Sequence, residues 1–164
     1  MEKDINEQLN KHIDEAYAME QNVLRMLDSM IGATDHPQIR QELEHHKRET
    51  EEQVERLKSR LEARGASPSM VREAGGVMAA LMKGVVDMVR GEKAGRIARD
   101  GYATEHLEIA SYELLRRIAQ KAGDEETAVA AQEIITEEQT MANLIAENWD
   151  RIAEQSLREE GVMV

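Results

Sequence analysis

This chain has no cysteine and no phenylalanine, and only two prolines, one tryptophan and three tyrosines among 164 residues. Without cysteine there is no disulfide, no thiol nucleophile and no zinc–thiolate site. Without phenylalanine, Ala, Leu, Ile, Val and the ten methionines must fill the core. Scarce proline and few β-branched runs favour an all-helical chain. No run of about 18 apolar residues occurs, so nothing reads as a membrane span. The start, Met1-Glu2-Lys3-Asp4, is charged and lacks an apolar signal core. A net charge of -12 with no basic stripe makes nucleic acid and anionic membranes poor partners. The length suits a single domain over residues 1–164, and the cytoplasm is the expected compartment.

What is present is helical periodicity. The spacing predicts five helices, at about 4–31, 37–64, 69–90, 93–122 and 124–157, with a frayed tail at 158–164. In the first, Leu9, Ile13, Ala16, Val23, Leu24, Leu27 and Ile31 recur at three and four, with Glu20 at the centre of the stripe. Pro37 suits the first position of the second helix, whose stripe is Ile39, Leu43, Thr50, Val54, Leu57 and Leu61. His46 lies inside that stripe, Gln53 close beside it and Glu49 at its edge. The third, rich in Met and Val, is apolar over more than half its circumference and reads as a crossover. The fourth is apolar on two opposite faces. Ala98, Tyr102, Ile109 and Tyr112 lie on one, and Ala103, Leu107, Ala110, Leu114 and Ile118 on the other. The fifth carries Ala131, Ile134, Ile135, Met141, Ala142, Ile145, Trp149 and Ile152, with Glu138 central.

A weak internal repeat joins these segments. Tyr17-Ala18-Met19-Glu20-Gln21 echoes Tyr102-Ala103-Thr104-Glu105-His106, and Thr50-Glu51-Glu52-Gln53 echoes Thr136-Glu137-Glu138-Gln139. Two helical hairpins joined by a crossover helix make an antiparallel four-helix bundle. In it Glu20, Glu49, Glu105, Glu108 and Glu138 converge at mid-height, with His46 one turn from Glu49. So many carboxylates cannot all ionise in a dry interior. Two divalent cations would neutralise them, as in di-iron and di-manganese carboxylate bundles. His46 is either a ligand or a hydrogen-bonded core imidazole. His106 points about 100° away from Glu105 and suits a supporting role. Glu51, Glu52 and Glu137 read as solvated. Tyr102 and Tyr112 lie near the centre, placed to hydrogen-bond a ligand or to pass an electron.

The pattern Tyr17-x-x-Glu20, His46-x-x-Glu49-Thr50-x-x-Gln53-x-Glu55-Arg56, Glu105-His106-x-Glu108-Ile109-Ala110-Ser111-Tyr112 and Glu137-Glu138 resembles the YciE/YciF-like stress proteins in order and spacing, from about Leu9 to Trp149. The resemblance implies a ferritin-like bundle, a dinuclear metal centre, a dimer and a link to general stress responses. One departure is plain. Ferritin-like di-iron proteins commonly carry Glu-x-x-His on the second and last helices, where this chain has Glu49-x-x-Glu52 and Glu138-x-x-Met141. A carboxylate-rich set is hard and favours manganese or iron over copper or zinc. The expected function is thus a cytoplasmic homodimer holding two Fe or Mn ions, reacting with peroxide or dioxygen or handling iron. The alternative is a non-catalytic helical dimer with a vestigial or empty site.

Overall fold

The computed structural model describes residues 4–34, 36–69 and 93–163. Every regular element among them is an α-helix: α1 (Ile5–Ala33), α2 (Pro37–Ala63), α3 (Lys93–Ala122), α4 (Glu125–Ala146) and α5 (Trp149–Glu159). The expected crossover at 69–90 lies, from residue 70 onward, outside the described residues. No described helix is long and apolar enough to cross a membrane.

Local chemistry sets the helix ends. Asp4 caps α1 by accepting from Asn6 N at 3.0 Å, and Pro37 opens α2 behind His36, where its missing N–H costs no bond. Gly123, at φ 73°, ends α3. The N–H of Asp124 reaches back to the Ala119 carbonyl at 3.0 Å, closing the last turn. The Asp124 carboxylate then caps α4 through Thr127 N and pairs with Arg60 of α2 at 3.0 Å and with Arg64, the residue that caps the end of α2, at 2.7 Å. That pairing ties the turn of the second hairpin to the end of the first.

Short turns make α1–α2 and α3–α4 antiparallel neighbours. Across the bundle α1 meets α3, and α2 meets α4. The core runs through the expected stripes, including Leu9, Ile13, Val23, Leu57, Leu61, Ile134 and Ile135. Met19, Met26 and Met30 stand where aromatic rings would otherwise fill space.

One expectation is corrected. The last helix is not continuous over 124–157, because the chain breaks at Glu147 and Asn148. The Asn148 side chain bonds the Leu144 carbonyl at 2.7 Å and its N–H bonds Ile145 O at 3.0 Å, the local competition with helix that Asn is prone to. Past the break Trp149 is 38% exposed rather than on a buried stripe. There α5 folds onto the start of α3, where a Cβ at Gly95 would lie 2.8 Å from Ser156 Oγ. Glu159 also accepts from Ala94 N at 3.0 Å. The second apolar face of α3 is expected to meet the crossover helix or a second copy of the chain, and both lie outside the described residues. Ala103, Ala110 and Leu114 are exposed, Leu114 by 52%, and Leu107 and Ile118 are half-buried. Ile97, Tyr112, Leu115 and Ala119 of α3 are buried in the core, with Leu107, Ile109 and Ile118 partly buried against it.

Candidate metal centre

Four helices each send polar side chains into one dry layer. Glu20 comes from α1, His46 and Gln53 from α2, Glu105, Glu108 and Tyr112 from α3, and Glu138 from α4; all are buried. Each occupies a position of its helix that would otherwise hold a core hydrophobe. A carboxylate in that setting is costly unless paired or bound to a cation.

The pairing is incomplete. His46 Nε2 lies 3.2 Å from Glu105 Oε1 and 3.7 Å from Glu138 Oε2, and Nδ1 lies 3.5 Å from Glu49 Oε2. By strict geometry both ring nitrogens lack a hydrogen-bond partner, as do Glu20 Oε2, Glu105 Oε2, Glu138 Oε2 and both oxygens of Glu108 as ionised carboxylates; with protons on the carboxyls, Glu20 can pair with Glu108 and Glu138 with Glu105. Native interiors rarely strand so many polar atoms in one place without an ion or water to satisfy them. His46, Glu105 and Glu138 each offer a ligand atom within 4.8 Å of the others. These donors fit a metal, and oxygen donors with one imidazole fit iron or manganese.

The electrostatics agree. Burial pushes Glu20 up from 4.5 to about 7, against the opposing pull of the Tyr112 hydrogen bond. Burial, then the Glu105 carboxyl, pushes Glu138 up to about 10. Glu108 is raised by burial and then by the charges of Glu20, Glu138 and Glu105. Burial opposes protonation of His46, but Glu105, Glu49 and Glu138 outweigh it and raise the imidazole. Without a cation, protons must do the neutralising.

Two neutral groups hold the carboxylates from behind. The Tyr112 hydroxyl donates to Glu20 Oε1. Gln53 Nε2 donates to Glu138 Oε1 and, at 3.0 Å, to Glu137 Oε2, and Arg56 Nη2 pairs with that same Glu137 oxygen at 2.5 Å. In the sequence Gln53 lies beside the stripe with no evident role, and Glu137 reads as solvated. Glu137 is only 29% exposed and anchors this chain of contacts. Its one sequence signal is the repeat, which sets Gln53 and Glu137-Glu138 in echoing motifs.

The other expected site residues sit outside the layer. Glu49 is 32% exposed and bridges His46 and His45. Its carboxyl is held below its usual range, chiefly by the His46 contact. The Tyr102 ring packs edge-on against His106, centroids 4.4 Å apart, and against Trp149, at 5.6 Å. Of these two tyrosines it is Tyr112 that touches a carboxylate of the layer. His106 is exposed and touches Tyr102.

Gln53→Leu should test the support. It leaves Glu138 Oε1 without its donor, and loss of such a partner typically weakens metal binding about 10–100-fold. Titration with Mn(II) reads this directly, and an unchanged affinity would remove Gln53 from the centre.

The chain belongs to the DUF892 family, a domain of unknown function whose family model matches residues 4–158. Its fold is that of a protein from Xanthomonas campestris pv. campestris, with TM-score 0.81 and 29% identity over 96% of this chain and 99% of that one. The Escherichia coli stress protein YciF superposes with TM-score 0.79 at 21% identity, over 96% of this chain and 99% of that one. A ferritin-like, diiron-carboxylate protein from Bacillus anthracis superposes with TM-score 0.73 at 13% identity, over 89% and 98%. The YciF-like resemblance and the ferritin-like all-α fold both hold.

Proposed function

We propose that this chain is a cytoplasmic ferritin-like protein of the general stress response that holds two iron or manganese ions. Glu20, His46, Glu105, Glu108 and Glu138 would be the ligands, with Glu49 at the margin through His46. Its task in this reading is to react with peroxide or dioxygen, or to handle iron. The observation that carries the proposal is the set of buried oxygens and nitrogens on four helices that lack hydrogen-bond partners. Bound there, iron or manganese supplies electron exchange with peroxide or dioxygen. The chain's own residues hold and neutralise. Gln53 and Tyr112 each hold one oxygen of a carboxylate, leaving the other oxygen of Glu138 and of Glu20 free of partners. The protons that burial keeps on Glu20, Glu108 and Glu138 are available for exchange against a cation. The absence of cysteine suits an oxidising task, since no thiol can be overoxidised.

The test is loss of hydrogen peroxide and oxidation of Fe(II), with metal-loaded wild type and Glu105→Ala each set against free metal at equal concentration. Wild type should be faster than both controls, and His106→Ala should have a modest effect. If wild type is no faster than free metal, the better reading is a non-catalytic helical dimer with a vestigial site.

The exposed face of α3 favours a homodimer in either reading. Leu114 alone is 52% exposed, beside exposed Ala103 and Ala110. Covering that face on the usual scale takes roughly 800 Å² per partner. Light scattering should give twice the chain mass of 18.6 kDa; a single-chain mass at micromolar concentration would end this part of the proposal.

A further inference from the structure

Arg56 and Glu137 stand one contact behind the buried layer. Arg56 Nη2 pairs with Glu137 Oε2 at 2.5 Å, and its Nη1 lies 3.6 Å from Glu133 Oε2, one turn back along α4. Both members of the closer pair are half-buried. The same Glu137 oxygen accepts from Gln53 Nε2 at 3.0 Å. Gln53 is wholly buried, and its Nε2 also donates to Glu138 Oε1. Gln53 Oε1 has no hydrogen-bond partner. An amide fits a site almost equally well in two orientations that exchange its oxygen and nitrogen. Turned round, Gln53 would set its carbonyl oxygen against the oxygens of Glu137 and Glu138, acceptor against acceptor. The carboxylates it faces therefore fix its direction. Of these two, Glu137 is not among the proposed ligands, and a guanidinium spanning Glu133 and Glu137 holds it in place.

We propose that Arg56 and Glu137 are positioning residues of the metal centre, locking the Gln53 amide so that its N–H group holds Glu138 Oε1 and leaves Glu138 Oε2 to the ion. The proposal rests on the reading of Glu138 as a ligand and extends its support to two residues at the bundle surface. Two simpler roles compete with it. A partly exposed ion pair between α2 and α4 would add a little stability and leave metal affinity unchanged. A fixed positive charge beside the centre would repel a cation, so removing Arg56 would tighten metal binding. Positioning gives the opposite sign. Without Arg56, Glu137 can turn to solvent, Gln53 loses its outer anchor, and binding weakens. The effect of Glu137 then passes through one amide, so it should vanish once that amide is gone.

The experiment is titration of the full chain with Mn(II), comparing wild type, Arg56→Leu, Glu137→Ala, Gln53→Leu and the double variant Gln53→Leu/Glu137→Ala. Thermal melting of each metal-free protein shows that it is folded; Leu and Ala are good helix formers and suit these helix positions. Arg56→Leu and Glu137→Ala should each weaken binding about tenfold, the low end for residues that support a ligand. In the Gln53→Leu background Glu137→Ala should cost less than about twofold more. Unchanged or tighter binding in folded Arg56→Leu overturns the proposal, and so does a further tenfold loss in the double variant. If Arg56→Leu does not fold, Glu137→Ala and its double variant decide by the same measures. Wild type that binds no Mn(II) tightly sinks the metal reading and this inference with it. Tight wild-type binding with unchanged affinity in the folded variants sinks this inference alone.

Discussion

Alanine at Glu20 or at Glu138 is expected to reduce bound iron or manganese from roughly two ions per chain to one or none, after reconstitution and desalting. The two residues come from α1 and α4, and each presents one unpartnered buried oxygen while its other oxygen is held, by Tyr112 or by Gln53. Losing either removes a donor directly, so the effect should exceed the ~10–100-fold typical of a supporting residue. Glu20→Gln separates binding from folding. It keeps the volume and an acceptor for Tyr112 but loses the charge. Metal uptake should fall while the metal-free protein stays folded. Elemental analysis showing wild-type metal content in all three variants would place the ions elsewhere.

Metal-free protein is expected to lose stability as pH rises from about 5 to about 8, while metal-loaded protein gains it. Unfolded, the carboxyls of Glu20 and Glu138 ionise near 4.5; folded, burial holds them at about 7 and about 10. Between those values the native state binds more protons than the unfolded chain, so stability is fully present below 4.5 and is lost as pH climbs toward the folded value. Glu20 alone contributes on the order of 3 kcal/mol across that window, at about 1.36 kcal/mol per pH unit. His46 acts in the same direction. Burial opposes its charged form, but Glu105 and Glu49 raise it, so its contribution is also present at low pH and lost as pH rises. Glu49 acts oppositely, since its carboxyl is lowered, but it is one third exposed and solvent screens it. A bound cation replaces the protons, so its stabilisation grows with pH. Melting with chelator and with Mn(II), at both pH values, should give Tm changes of opposite sign, each of several degrees. Parallel pH profiles would mean that these carboxyls are not neutralised by the metal.

The bundle was legible because its stripes are clean. Glu20 and Glu138 stand at stripe centres where nothing else so polar occurs, and both are fully buried. Glu105 and Glu108 were legible from their spacing on a helix whose small neighbours mark an interior. The supporting contacts were not, because they join positions 84 and 85 residues apart. Glu137 looks, in sequence, like any solvated acid. The repeat misleads at one point: Glu52 and Glu138 occupy matching places, yet Glu52 is exposed and Glu138 buried. On α2 the inward positions at that level belong to His46 and Gln53 instead. The break at Asn148 escaped periodicity because Ile145, Trp149 and Ile152 stay in helical phase across it. Its signal was the Asn itself, whose side chain competes for the Leu144 carbonyl.

The central claim is that the buried layer of Glu20, His46, Glu105, Glu108 and Glu138 is a metal centre. Anomalous scattering, collected at the iron or manganese edge from crystals of the reconstituted protein, tests it most directly. Two peaks within that layer, each bordered by Glu105 or Glu138 and weakened in Glu138→Ala crystals, are the predicted result. No anomalous peak among these residues, with solution titration finding no tight binding, would contradict it.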